Sequence, residues 1–171
     1  MKRRLQAEFA AAVLALGCNL VLTAQNPSGS WKEYTYPDDS FAITLPADPD
    51  IHKDLTKPTT IYSLHATSDI IVKVSVASGV EECPTTLASL KAQSLKLMGQ
   101  SAVKDFSATG YPGFEYESNG NQGDRIYGRL VCAGARLYSV ESSWPVDDPK
   151  PAVVSRIVDS FRILSPAAHN N

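Results

Sequence analysis

The stretch GYPGFEYESNGNQGDRIYGRLVCAGARLYSVESSWP, Gly110 to Pro145, alternates apolar and polar side chains over three runs separated by two glycine-bearing breaks. Alternation with a period of two marks half-buried strands, and Gly with Asn or Asp between such runs marks hairpin turns. With Asn119 to Gly123 as the first turn, Ser118 faces Asp124, Glu117 faces Arg125, Tyr116 faces Ile126 and Phe114 faces Gly128. Phe114, Tyr116, Ile126, Leu130 and Cys132 then share one face, and Glu115, Glu117, Arg125, Tyr127 and Arg129 share the other. For the second turn, a three-residue loop at Ala133, Gly134 and Ala135 sets Leu130 against Tyr138 and Gly128 against Val140. A two-residue loop would bring Glu141 onto the apolar face, so the longer loop is expected.

The flanking chain supplies more strands and two helices. Trp31 to Tyr36 and Phe41 to Leu45 form a hairpin about Pro37, Asp38, Asp39 and Ser40, whose proline and aspartates suit a turn. Pro46 to Pro58 reads as a polar connection. Thr60 to Thr67 and Ile70 to Ser78, rich in β-branched residues, form a second hairpin reversed at Ser68 and Asp69. A helix is expected after Cys83, with Pro84 in its first turn and Gly99 ending it past Met98. Leu87, Leu90, Ser94, Leu97 and Met98 form the stripe it turns to the sheet. Ala102 to Ala108 is a further strand. Asp147 or Asp148 is expected to cap a second helix with Pro149 at its first position, and Val154, Ile157, Val158 and Phe161 are its apolar stripe. The order β-β-β-β-α-β-β-β-β-α is an α+β arrangement with a mainly antiparallel sheet of about seven or eight strands and two main helices.

With 171 residues, 43% of them hydrophobic and 20% charged, the chain has one domain's worth of core, placed at 31–164. Lys2, Arg3 and Arg4 followed by the apolar run from Phe9 to Ala24 read as a secretory signal peptide over 1–24, with 25–30 a linker and 165–171 a disordered tail. Ala15, Leu16, Gly17 and Cys18 weakly resemble a lipobox, which would make Cys18 a lipid-bearing N-terminus. Ala15 stands where the usual leucine would be and the apolar run continues past Cys18, so an ordinary signal peptide is preferred. Losing the leader leaves 13 basic against 17 acidic side chains, a net charge of about −4. With no basic run this argues against nucleic-acid binding. Cys83 and Cys132 then remain, either joined as a disulfide in an oxidising compartment or buried as separate thiols.

Catalytic signatures are missing. No G-x-S-x-G, S-x-x-K or Cys-His pattern is present, and His52, His65 and His169 lack a second ligand at zinc spacing. Asp38 with Asp39, and Glu81 with Glu82, read as solvated acidic turns rather than a cation site. Gly120 and Gly123 precede no helix, so they are turn glycines and not a phosphate cradle. No metal and no cofactor is expected, and the chain is read as a non-enzyme. Glu115, Glu117, Arg125, Tyr127 and Arg129, with Glu141, form either a solvated or helix-covered ladder or a surface for a partner.

Three motifs add a resemblance: Trp31, Tyr34, Tyr36, Pro37, Asp39, Phe41, Ile43, Leu45 and Pro46 in the pattern WxxYxYPxDxFxIxLP; Gly110-Tyr111-Pro112-Gly113-Phe114; and Asp159-Ser160-Phe161-Arg162. Together they resemble secreted bacterial proteins of the PsbP-like group. The resemblance implies an α/β/α sandwich around an antiparallel sheet, over about residues 31 to 164. It also implies an assembly factor, extrinsic subunit or binding module, here an exported module of the cell envelope. Its partner would be an envelope protein or a small ligand, with no membrane span in the mature chain. No functional motif of the group can be carried over. The alternatives are a secreted hydrolase-type enzyme with dispersed residues and a lipid-anchored structural protein of the envelope.

Overall fold

Strand pairing divides the chain into two antiparallel sheets in the computed structural model, which describes residues 31–164 apart from 47, 49–50, 55–58, 67–68 and 121–122. The leader, the linker, Cys18, His169 and the tail lie outside the described residues. The strands are β1 (Lys32–Tyr36), β2 (Phe41–Leu45), β3 (Ile51–Asp54), β4 (Thr59–His65), β5 (Ile71–Ser78), β6 (Val103–Ala108), β7 (Tyr111–Asn119), β8 (Asp124–Ala133), β9 (Arg136–Pro145) and β10 (Arg162–Ile163). The helices are α1 (Cys83–Met98) and α2 (Ala152–Ser160). Strands β3-β4-β5-β9-β8-β7-β6, in that order, make a seven-stranded sheet. The first hairpin does not join it: β1, β2 and β10 form a separate three-stranded sheet.

The layers follow from what each face must bury. β2 carries Phe41, Ala42, Ile43 and Leu45, all buried, so this short strand is covered on both sides. It packs with Val154, Ile157 and Val158 of α2 and with Val72, Val74, Tyr138, Val140 and Trp144 of the large sheet in one core. On the opposite face α1 packs over Phe114, Cys132 and Val103 in a smaller core. The result is a helix, a large sheet, then a third layer shared by α2 and the small sheet.

Several local expectations change. Pro46 to Pro58 contains the edge strand β3, so His52 lies on a strand rather than in a loop. The β7–β8 register is displaced by two residues: Glu117 faces Tyr127, Tyr116 faces Gly128, and Arg125 faces Asn119. The β8–β9 loop is the two-residue form, with Ala133 opposite Arg136, Val131 opposite Tyr138 and Gly128 opposite Glu141. Gly134 supplies the positive φ, 60°, that such a turn needs. This moves Tyr138 and Val140 to the face of Arg129 and leaves Glu141 on the face of Tyr116.

α1 spans its expected residues, and Gly99 ends it at φ 86° with its N–H on the Leu95 carbonyl. Leu97 departs from the expected stripe. It sits roughly 100° round the helix from Met98 and is 75% exposed. α2 begins at Ala152, later than expected, because Pro151 holds Lys150 away from helical backbone and Pro149 cannot open the helix. Asp147 and Asp148 therefore do not cap it; the Asp148 carbonyl accepts the Trp144 indole N–H at 3.2 Å. Cys83 and Cys132 are joined as a disulfide that ties the first residue of α1 to β8, with Cα atoms 5.7 Å apart. Closing a separation of 49 residues stabilises the fold by about 4 kcal/mol in the chain-entropy model.

Candidate functional site

The charged ladder of β7 and β8 divides into an inner and an outer half. Arg129, 8% exposed, runs inward beneath the end of α2. Its Nη1 donates to the Val158 carbonyl at 3.3 Å, and its Nη2 reaches Asp159 Oδ1 at 2.5 Å and Glu115 Oε2 at 3.3 Å. The guanidinium also lies 4.0 Å from the Phe106 ring centroid. It thus receives a terminal helix carbonyl and two carboxylates, which suits a cation at a helix C-terminus. Tyr127, also 8% exposed, donates its hydroxyl to Glu115 Oε2 at 2.9 Å. Burial pushes that phenol up to about 12, with the carboxylates of Glu115 and Asp159 adding and Arg129 opposing. These side chains are the helix-covered part of the ladder.

The outer half stays near solvent. Glu117 pairs with Arg125 diagonally across β7 and β8, and its other oxygen is 3.2 Å from Lys150 Nζ. Lys150 in turn stands 4.1 Å above the Tyr127 ring, and Arg125 lies 5.7 Å from the Trp144 ring. A cleft of about 400 Å³ opens beside this rim, lined by Leu97, Met98, Glu117, Ser118, Asn119 and Arg125. β6 starts at Val103, opposite Tyr116, so Glu117, Ser118 and Asn119 have β8 on one side and no paired strand on the other among the described residues.

Glu141 belongs to neither half. On the opposite face of the sheet it accepts the Tyr116 hydroxyl at 2.5 Å and the Ser139 hydroxyl at 3.1 Å. Tyr116 reaches it by lying across Gly128, where an added Cβ would stand 2.9 Å from the ring. Burial first, then the charge of Glu141, raises the Tyr116 phenol far above its ordinary value. Both tyrosines therefore stay protonated at neutral pH and act as donors, not bases.

Among the described residues no three His, Cys, Asp or Glu side chains are placed to hold a metal ion. Asp39, expected in a solvated turn, is buried and accepts the Tyr62 hydroxyl, while its carbonyl accepts the Tyr138 hydroxyl at 3.1 Å. Sequence reasoning missed three residues at the ladder. In sequence Asp159 stands out only within the Asp159-Ser160-Phe161-Arg162 motif, Lys150 lies in an unremarkable loop, and Leu97 falls on the stripe that α1 is expected to turn to the sheet. The Pro-Lys-Pro spacing before α2 was the one available signal for Lys150, since it keeps that residue extended.

Solved structures with this fold include cyanobacterial PsbP (CyanoP) from Synechocystis sp. PCC 6803. It is similar at a TM-score of 0.54 and 11% identity, over 79% of this chain and 93% of that one. A crystal structure of a protein from Bacteroides thetaiotaomicron VPI-5482 matches at a TM-score of 0.52 and 10% identity, over 78% of this chain. The match covers 48% of the Bacteroides protein, so the chain spans about half its length. No protein-family model matches the chain, and no curated protein matches it in sequence. At these identities the likeness concerns the fold alone.

Proposed function

From the PsbP-like fold of this chain, we propose that it is an exported, non-enzymatic binding module of the cell envelope, whose partner surface is the rim formed by Glu117, Arg125, Lys150 and Leu97. Export is supported by the basic and apolar leader and by a disulfide of the kind that persists in oxidising compartments. No helix among the described residues is long and apolar enough to cross a membrane.

One observation carries the choice of surface: Leu97, 75% exposed, stands beside the Glu117–Arg125 ion pair at an open cleft. An exposed large apolar side chain bordered by an Arg–Glu pair has the composition of an interface rim around an apolar anchor. Tyr127 carries Lys150 over its ring, Glu115 and Arg129 lie inside against the end of α2, and Glu141 faces away from the rim.

Capture of partners from the native envelope tests the reading, with wild-type protein compared against Leu97→Asp and Arg125→Glu. Both variants are expected to lose partners that the wild type retains. Recovery of the same partners in the same amounts by all three proteins rules out this surface. Arg129 is left intact, because changing it would disturb α2 rather than the surface.

A further inference from the structure

A second hollow, about 370 Å³, lies at the other end of β8, where the β8–β9 turn meets the small sheet. Tyr111, Ala133, Tyr138 and Ile163 give it a largely apolar wall, and Arg136 and Ser40 are its polar members. Its volume and lining fall within the range of small-molecule sites, which are mostly apolar with a few placed polar groups.

Arg136 sets this hollow apart. Arg125, Arg129 and Arg162 each lie on a carboxylate, and Arg156 lies 3.8 Å over the Trp31 ring. Among the described residues Arg136 has neither kind of partner. Its Nη1 donates to Ser40 Oγ at 3.0 Å and its Nη2 to the Asp38 carbonyl at 3.3 Å. Among the described residues no carboxylate stands within 4.0 Å, and the rest of the guanidinium fork has no acceptor. The Asp39 carboxylate of the same turn is engaged by Tyr62. A half-buried guanidinium with open donors against an apolar wall matches a carboxylate attached to an apolar body.

We propose that this hollow binds a small amphiphilic monocarboxylate, its carboxylate on Arg136 beside Ser40 and its alkyl or aryl body against Tyr111, Ala133 and Ile163. The site is independent of the partner rim, which lies at the opposite end of the ten-residue strand β8. The rival explanation is that Arg136 only clamps the Pro37–Asp39 turn through its two bonds.

Nuclear magnetic resonance titration of the protein with octanoate distinguishes the two, with octan-1-ol and acetate as probes lacking the charge or the apolar body. Octanoate is expected to move the amides of Tyr111, Ala133 and Ile163, and to bind about tenfold or more tightly than either control, the worth of one charge-assisted contact. Arg136→Met should weaken octanoate by about the same factor. Ala133→Phe, which fills the hollow while keeping the arginine, should abolish binding, and Arg125→Met should leave it unchanged. The proposal is overturned if octanoate does not bind, binds no better than octan-1-ol, or binds the Ala133→Phe variant as it binds the wild type. Should Arg136→Met unfold the turn, the octan-1-ol comparison and Ala133→Phe still decide.

Discussion

β8 is buried on both faces, by different means. Toward α2, Tyr127, Arg129 and Val131 enter the larger core with Tyr138, Val140 and Trp144, and the last turn of α2 receives the charge that Arg129 brings in. Toward α1, Leu130 and Cys132 meet Phe114 and Cys83. Farther along that face, Gly128 leaves room for Tyr116 to cross to Glu141. One face admits a cation because a helix terminus stands ready for it; the other admits a phenol because a side chain is missing. Polar groups enter a sheet interior wherever a fixed partner awaits them, so charge in an alternating run does not identify the solvent side.

Removing Arg129 is the most damaging way to break this contrast. Arg129→Met leaves Glu115, Asp159 and the terminal carbonyl of α2 without their cation and is expected to cost about 3 kcal/mol. That is the low end for a broken buried pair, because the Asp159 side chain is half exposed. Denaturant unfolding followed by circular dichroism measures it, and a cost below about 1 kcal/mol would mean that α2 does not depend on this cation. On the other face, Gly128→Ala sets a methyl against the Tyr116 ring and should cost about 2 kcal/mol by overpacking. In a Tyr116→Ala background the same change should cost much less, a coupling that a double-mutant cycle reads directly.

Tyr127 and Tyr116 allow both faces to be probed by pH. Each phenol has a raised pKa in the folded state, Tyr127 up to about 12 and Tyr116 further. Their contribution to stability is therefore whole below the unfolded phenol value of about 10 and is lost as pH climbs through the folded values. Unfolding free energies measured at a series of pH values should decline above about pH 10, and Tyr127→Phe should lessen the slope. Identical slopes in variant and wild type would contradict the buried setting of Tyr127. The smallest effect belongs to Arg125→Ala, under about 1 kcal/mol, since its pair with Glu117 is partly solvated and Lys150 still accompanies that carboxylate. A larger cost there would place Arg125 with Arg129 as an internal strut.

The strands from Tyr111 to Pro145 were legible because their alternation is regular, and the sharing of faces between β7 and β8 came with it. The order of pairing was legible too, but its register was not. A slide of two positions keeps every side chain on its own face, so hydrophobic pattern cannot detect it, and only the turn decides. Here the Gly120 N–H meets the Asp124 carbonyl at 2.8 Å and fixes the tighter register. The β8–β9 slip had another origin: Glu141 argued against the short loop, yet Tyr116 satisfies it from two strands away across Gly128. The acidic and basic residues of the ladder could be named in advance. Which of them lay inside depended on Asp159, thirty positions beyond Arg129, and on an end of α2 that no local window contains.

The Cys83–Cys132 bond closes a covalent ring that runs through α1, β6, β7 and most of β8. A protease that makes one cut within that ring, for instance at the β7–β8 turn, does not release a fragment. The nicked protein keeps its full mass until a reductant opens the ring, so denaturing gels run with and without thiol tell a nicked molecule from an intact one.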